Sequence, residues 1–412
     1  MKFIIFIAMF FSFHAFAQEN DTHEEDIQTN SAHRHEAKNV DVTVENDASD
    51  ASDSTNDDAA EGAHSAEATA EDSADHACGQ HDHDCAGMHG RGAHTGHQGH
   101  GDHGGKMHGG GHGHGLDKTS LKQYFESLPE SIIDEQKNAA LIKLGKMLYL
   151  DPRLSINNKI SCNSCHGLEN FGVDNEPTSP GHDGRRGNRN SPTTMNAALH
   201  IAQFWDGRAR DVEEQALGPI LNPIEMGMPD KGTVVKKLKA IDVYQKLFSE
   251  AFSDQKYPFN YNNIGVAIGA FERTLLTPSR FDDFLNGEDG ALSKVEKKGL
   301  HKFIQIGCAT CHNGVAIGGN SFKKIGLIEP YETADLGRYE VTNIENDKHV
   351  FKVPGLRNVA RTAPYFHDGS VATLEEAIRL MAKHQLGQEV GHGFIRDVKA
   401  FLESLTDKSA QQ

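Results

Sequence analysis

Two Cys-x-x-Cys-His pentapeptides, Cys162–His166 and Cys308–His312, are the residues of this chain whose types and spacing are best suited to chemistry. In such a pentapeptide the two thiols add to the two vinyl groups of one haem, and the His that follows is held under the iron as an axial ligand. A redox dithiol or half of a zinc site uses the same two cysteines, but neither requires a His directly after the second. Here the His follows both times, in a chain with the marks of export, so Cys162, Cys165, Cys308 and Cys311 are read as the attachment points of two c-type haems, with His166 and His312 as axial ligands.

The sixth position then decides what each iron can do. A Met or a second His closes the iron for electron transfer, whereas an open position admits a peroxide. Downstream of the first motif the candidates are His182 and His200; downstream of the second they are Met381, His367 and His384. Spacing alone does not choose among them.

The rest of the chain must position these groups, and composition shows where it can. Lys2, an apolar run from Phe3 to Phe16 and the small-x-small pattern Ala15–Ala17 form an expected signal peptide over residues 1–17, too short for a membrane span. The expected location is the periplasm, where covalent haem attachment also takes place. Residues 18–75 carry 18 Asp or Glu against only Arg34 and Lys38, a composition that cannot bury enough apolar surface to offset chain entropy. This segment is expected to be a disordered acidic tail. It supplies most of the formal net charge of −18, so overall acidity says little about partners of the folded part, and nothing favours nucleic acid. No later stretch approaches the length of a membrane span.

Residues 76–115 form a Gly/His tract with eleven His, among them His81, His83, His89, His94, His97 and His100, together with Cys78, Cys85, Met88 and Met107. Imidazole mixed with soft sulfur suits Cu, Zn or Ni. The same irregular, Gly-rich spacing also suits a solvated spacer, and Cys78 and Cys85 could pair with each other in an oxidising compartment.

Residues 116–412 read as globular, and about 300 residues exceed one usual domain. The two haem motifs lie 146 residues apart, which suits one haem per domain, over 116–280 and 281–412. Helical spacing dominates: Ile132–Leu150, Val234–Phe252 and Ile264–Leu276 carry apolar residues at that period, and Thr373–Glu376 reads as a capping box. Alternating strand patterns are scarce. The expected fold class is mainly α, with two cytochrome-c-like domains, each around one covalently bound haem.

A wider pattern adds to these readings. Leu144–Ser155, Arg189–Thr193, Gln203–Arg208, Phe271–Leu275 and Ala363–Gly369 occur in an order that resembles the bacterial di-haem cytochrome c peroxidases, a family that includes MauG-type enzymes. The resemblance runs from about Leu141 to Leu386, is carried by no single short motif, and leaves both tails out. It implies a peroxidatic haem in the N-terminal domain on His166, with His182 at the position of the distal His that blocks the iron in the oxidised enzyme. It implies an electron-transfer haem on His312 and Met381. It further implies Glu225 as the distal catalytic carboxylate, Gln215 as a distal-pocket amide, and Trp205, the one Trp of the chain, as a relay between haems. A Ca²⁺ held by the Asn190 side chain and the carbonyls of Thr362 and Pro364 belongs to the same pattern, as do a homodimer and a small cytochrome c or cupredoxin as electron donor. The implied activity is reduction of hydrogen peroxide. A MauG-like protein-modifying oxidase is the nearest alternative, but that group has Tyr where Met381 stands. A di-haem electron carrier or metal-binding protein without enzymatic activity is the alternative from another class.

Overall fold

The computed structural model describes residues 118–411. The expected signal peptide, acidic tail and Gly/His tract lie outside them. Seven helices of nine or more residues carry the architecture: α1 (Ala139–Leu150), α2 (Lys231–Lys239), α3 (Asp242–Ala251), α4 (Tyr261–Glu272), α5 (Lys294–Ile306), α6 (Leu374–Leu386) and α7 (His392–Glu403). Among the described residues the only sheet is a two-stranded antiparallel one, β1 (Phe322–Lys324) on β2 (Val350–Lys352), with Phe322 opposite Lys352. The chain is therefore mainly helical.

Two apolar clusters organise these helices. In the first, Leu144 and Leu148 of α1 pack with Tyr244 and Phe248 of α3 and Ile264 and Ile268 of α4. In the second, Leu300 and Phe303 of α5 pack with Ile378 of α6 and Val398 and Phe401 of α7; Leu121 and Phe125 join this second cluster. Each cluster contains a helix crossing close enough to need a glycine. A Cβ on Gly145 of α1 would lie 1.8 Å from the Ala267 carbonyl oxygen of α4, and one on Gly299 of α5 would lie 1.9 Å from that of Asp397 on α7. Glycine lets the backbones touch there, which brings α1, and the haem motif that follows it, hard against α4.

The helices begin and end where local chemistry permits. The Asn260 side chain accepts from the Asn263 amide and opens α4, and the Thr373 hydroxyl accepts from the Glu376 amide and opens α6. The reciprocal arm of the expected capping box is not made, because the Glu376 carboxylate instead takes the Arg379 guanidinium. The expected helix Ile132–Leu150 starts only at Ala139, since the Asp134 carboxylate caps the Lys137 amide in a preceding turn. The expected single helix Val234–Phe252 is two: Ile241 is extended (φ −108°, ψ 107°), and the break lets Val234 and Leu238 on one side and Tyr244, Leu247 and Phe248 on the other reach the same core.

An ion-pair network ties the part of the chain around Trp205 to the part around β2. Arg189 bonds Asp206 and forms a two-pronged pair with Asp335 at 2.6 and 2.7 Å. Deep in the second cluster Arg357 forms a two-pronged pair with Asp282, both distances 2.8 Å.

Candidate active site

The first pentapeptide sits on a single helical turn, Cys162–Cys165, opened by a capping box between Ser161 and Ser164. The His166 amide donates to the Cys162 carbonyl at 2.9 Å, so the turn itself carries His166 round beneath the two thiols. Tyr149 of α1 donates its hydroxyl to the His166 carbonyl at 2.7 Å, and His166 Nδ1 lies 3.4 Å from the Gly172 carbonyl. That arrangement keeps Nε2 as the nitrogen available to a metal. The second pentapeptide follows α5 directly: Gly307 ends the helix in the left-handed conformation (φ 109°), and the His312 amide donates to the Cys308 carbonyl at 3.0 Å.

Each pentapeptide walls a cavity. The first, of ≈ 180 Å³, is lined by Cys162, Cys165 and His166, and by Trp205, Gln215 and Glu225. The second, of ≈ 200 Å³, is lined by Cys308, Cys311 and His312, with Met381, Lys352 and Trp205. Both fit a haem. The four pentapeptide cysteines are free, burial pushes the Cys162 and Cys308 thiols up to about 12, and His312 Nδ1 is buried without a partner. Neutral thiols beside an apolar slot and an uncharged imidazole, pulled down to about 4 at His312 by burial, suit thioether attachment and iron ligation.

Several polar groups surround the first cavity. Asn222 donates its amide to Glu225 Oε1 at 2.7 Å. Burial raises the Glu225 carboxyl, while the Arg208 charge and the Asn222 bond oppose that rise. Arg208 is itself fixed by Asp206 at 2.9 Å and lies over the Phe204 ring. Gln215 reaches the cavity from the short helix Val212–Gln215. Trp205 donates its indole N–H to the Asn190 carbonyl at 2.9 Å and walls both cavities, so it stands between them.

Not every candidate ligand faces a cavity. His182 lies outside the wall of the first: its Nε2 is 3.1 Å from the Pro223 carbonyl, its amide donates to the Glu225 carbonyl at 2.7 Å, and its ring fills space that a side chain at Gly227 would take. His200 pairs with Lys352 instead, and His384 Nδ1 meets the Glu329 carbonyl. His367 lines the second cavity beside Met381, with Nε2 on Thr333 and its ring stacked on Phe351. The Asn190 side chain donates to the carbonyls of Glu176 and Pro177, so Oδ1, the atom a cation would use, is the one outside these bonds. The Ala363 carbonyl, between Thr362 and Pro364, accepts from Asn175 at 2.6 Å.

Three groups at these cavities have no role in the sequence reading. Arg208 and Glu272 lie inside recognised segments, but nothing local marks them. Glu272 is pushed up to about 8 by burial, then by the Glu213 charge, against the pull of Arg273. Lys352 carries no sequence signal at all.

Fold and site together give a mainly helical chain with one Cys-x-x-Cys-His pentapeptide on the wall of each of two cavities, and comparison with known proteins supplies the family. Residues 139–290 match the family model for di-haem cytochrome c peroxidase, and the chain belongs to that family. It is similar to cytochrome c551 peroxidase of Nitrosomonas europaea, 46% identical over 66% of this chain and 81% of the relative. It is similar also to cytochrome c551 peroxidase of Pseudomonas aeruginosa, 43% identical over 69% of this chain and 84% of the relative. Among solved structures it resembles a MauG-like protein associated with microbial copper homeostasis, with a TM-score of 0.61 and 29% identity over 70% of this chain and 95% of that one.

Proposed function

We propose that this chain is a periplasmic peroxidase that converts one hydrogen peroxide, two protons and two electrons into two waters. The reading rests on one observation: a single cavity gathers His166 and its two thiols with Glu225 and Gln215, and shares Trp205 with the cavity of His312 and Met381. When bound, haem would supply the iron that takes peroxide and the path by which electrons reach it. Glu225 takes a proton from one peroxide oxygen and returns one to the other, which a carboxyl raised by burial suits. The Gln215 amide orients the same region. Trp205 carries electrons across from the second cavity, where His312 and Met381 would hold a haem suited to accept electrons from a small cytochrome c or cupredoxin. A Ca²⁺ on Asn190 and the carbonyls of Thr362 and Pro364, and a homodimer, complete the proposal; oxygen ligands suit that hard cation. No helix among the described residues is long and apolar enough to cross a membrane.

His182 is proposed as the removable sixth ligand of the first haem. Its anchorage on the Pro223 carbonyl, beside rather than inside the cavity, supports a loop with a released position. Fully oxidised enzyme should turn over peroxide slowly, and enzyme given one electron per two haems should turn it over fast. His182→Gly should be fast in both states. Absence of turnover in either state of the native chain would sink the peroxidase; a His182→Gly enzyme that still needs pre-reduction would sink the gate.

A second reading concerns residues 76–115. Eleven His with Met and Cys in that tract, together with the copper-homeostasis association of the solved relative, support copper binding there, with Zn or Ni as weaker alternatives. The mature chain should bind several more equivalents of copper than a chain lacking residues 76–115. Equal stoichiometry in the two would reduce the tract to a spacer.

A further inference from the structure

Lys352 is the most conspicuous unused charge in the described residues. It is 6% exposed, lies on β2 opposite Phe322, and lines the cavity of His312. Its Nζ is 3.2 Å from Nδ1 of His200, and among the described residues no carboxylate pairs with it. His200 must be the acceptor in that contact. Burial, and then the Lys352 charge, hold its imidazole well below the usual range, and its ring is wedged against Gly319 and Gly355. A side chain at Gly319 would come within 2.1 Å of that ring, so the imidazole is fixed where it stands. Burial alone pulls the Lys352 ammonium down to about 8.

A cation buried in this way is costly unless an opposite charge meets it. Asp206, next to the Trp205 carbonyl that Lys352 meets, is engaged by Arg189 and Arg208; Asp335 is engaged by Arg189, and Glu345, nearer in the chain, by Lys348. The open side of Lys352 is the cavity. A haem brings its own carboxylates, and the Lys352 backbone amide donates to the carbonyl of Trp205, which lines the same cavity, at 2.8 Å.

We propose that Lys352, seated on His200, is a positioning cation that pairs with a carboxylate of the haem held by His312 and thereby holds that haem's reduction potential up. The inference rests on the reading of the second cavity as a haem site. A buried positive charge beside the cofactor favours the reduced, less positive iron and so favours uptake of the electron that the soluble donor delivers.

The test is a spectroelectrochemical titration of the intact two-haem protein, with haem attachment checked by mass. Lys352→Met should shift the one-electron equilibrium of the second haem toward the oxidised form by about tenfold or more, which is about 59 mV for one electron. Lys352→Arg, which keeps the charge, should stay within about threefold of the native chain. A Lys352→Met protein carrying both haems with an unchanged potential would overturn the proposal. If that variant fails to attach haem, Lys352→Gln, polar and of similar length, is read by the same criterion. A native chain without a second haem by mass would instead refute the haem reading beneath it.

Discussion

Glu225→Gln should lower peroxide turnover by about 10²–10⁴-fold while leaving both haems attached and their spectra unchanged. Glutamine keeps the shape and can still meet the Asn222 amide that now holds Oε1 at 2.7 Å, so the cavity wall should not move. What it loses is the ability to take a proton and give it back. In the native site the two influences on the carboxyl are opposed: burial raises it, and Arg208 and Asn222 pull it down. That balance is what an acid–base group needs, since a carboxyl held far too low would never return the proton and one held far too high would never take it. The comparison to make is turnover at equal haem content, with peroxide added to half-reduced enzyme. A fall of less than about fivefold would assign the proton transfer elsewhere, and Glu272 would be the next group to replace, because it faces the same cavity with a carboxyl raised to about 8.

The residues legible in the sequence are those whose chemistry fixes spacing along the chain. Cys162, Cys165 and His166 had to be found together because one helical turn presents them to one cofactor, and the same holds for Cys308, Cys311 and His312. Met381 could be listed as a ligand candidate but not chosen over His367 by spacing, and in the structure both line the second cavity. The pairing of His200 with Lys352 shows why the rest stayed hidden. They are 152 positions apart, each is unremarkable where it stands, and only the packing of β2 against the Trp205 segment makes them neighbours. The helix boundaries failed for a related reason. Apolar spacing runs through Ile241 without interruption, yet the two halves of that run must turn to reach one core, and no Gly or Pro announces the break.

Arg357→Met should destabilise the folded chain by about 3–5 kcal/mol at neutral pH. Asp282 is nearly inaccessible and meets four partners: the Arg357 guanidinium twice, the Leu128 amide and the Ser279 amide and hydroxyl. Removing the guanidinium leaves a buried carboxylate whose desolvation, the largest influence on it, is no longer offset by its cation. The pH dependence separates this cause from lost packing. In the native chain Arg357 holds the Asp282 carboxyl below its usual range despite burial. Its contribution is therefore complete above the unfolded value, about 3.9, and is lost as pH falls through the lower folded value. In the variant the carboxyl rises, so the deficit should be largest at neutral pH and shrink as acid neutralises the group. Urea unfolding at pH 7 and at about pH 3, below the unfolded value, reads this directly, and a deficit equal at both would assign the loss to packing alone. Asp282→Asn in the Arg357→Met background should recover part of the stability at pH 7 by removing the unpaired charge. The consequence reaches the second haem site, because Arg357 Nε also donates to the Val315 carbonyl at 2.7 Å, in the loop that follows His312. Losing that bond should loosen the segment behind the iron ligand before the whole cluster unfolds, so the absorption of the second haem should change at lower urea than the helical signal does.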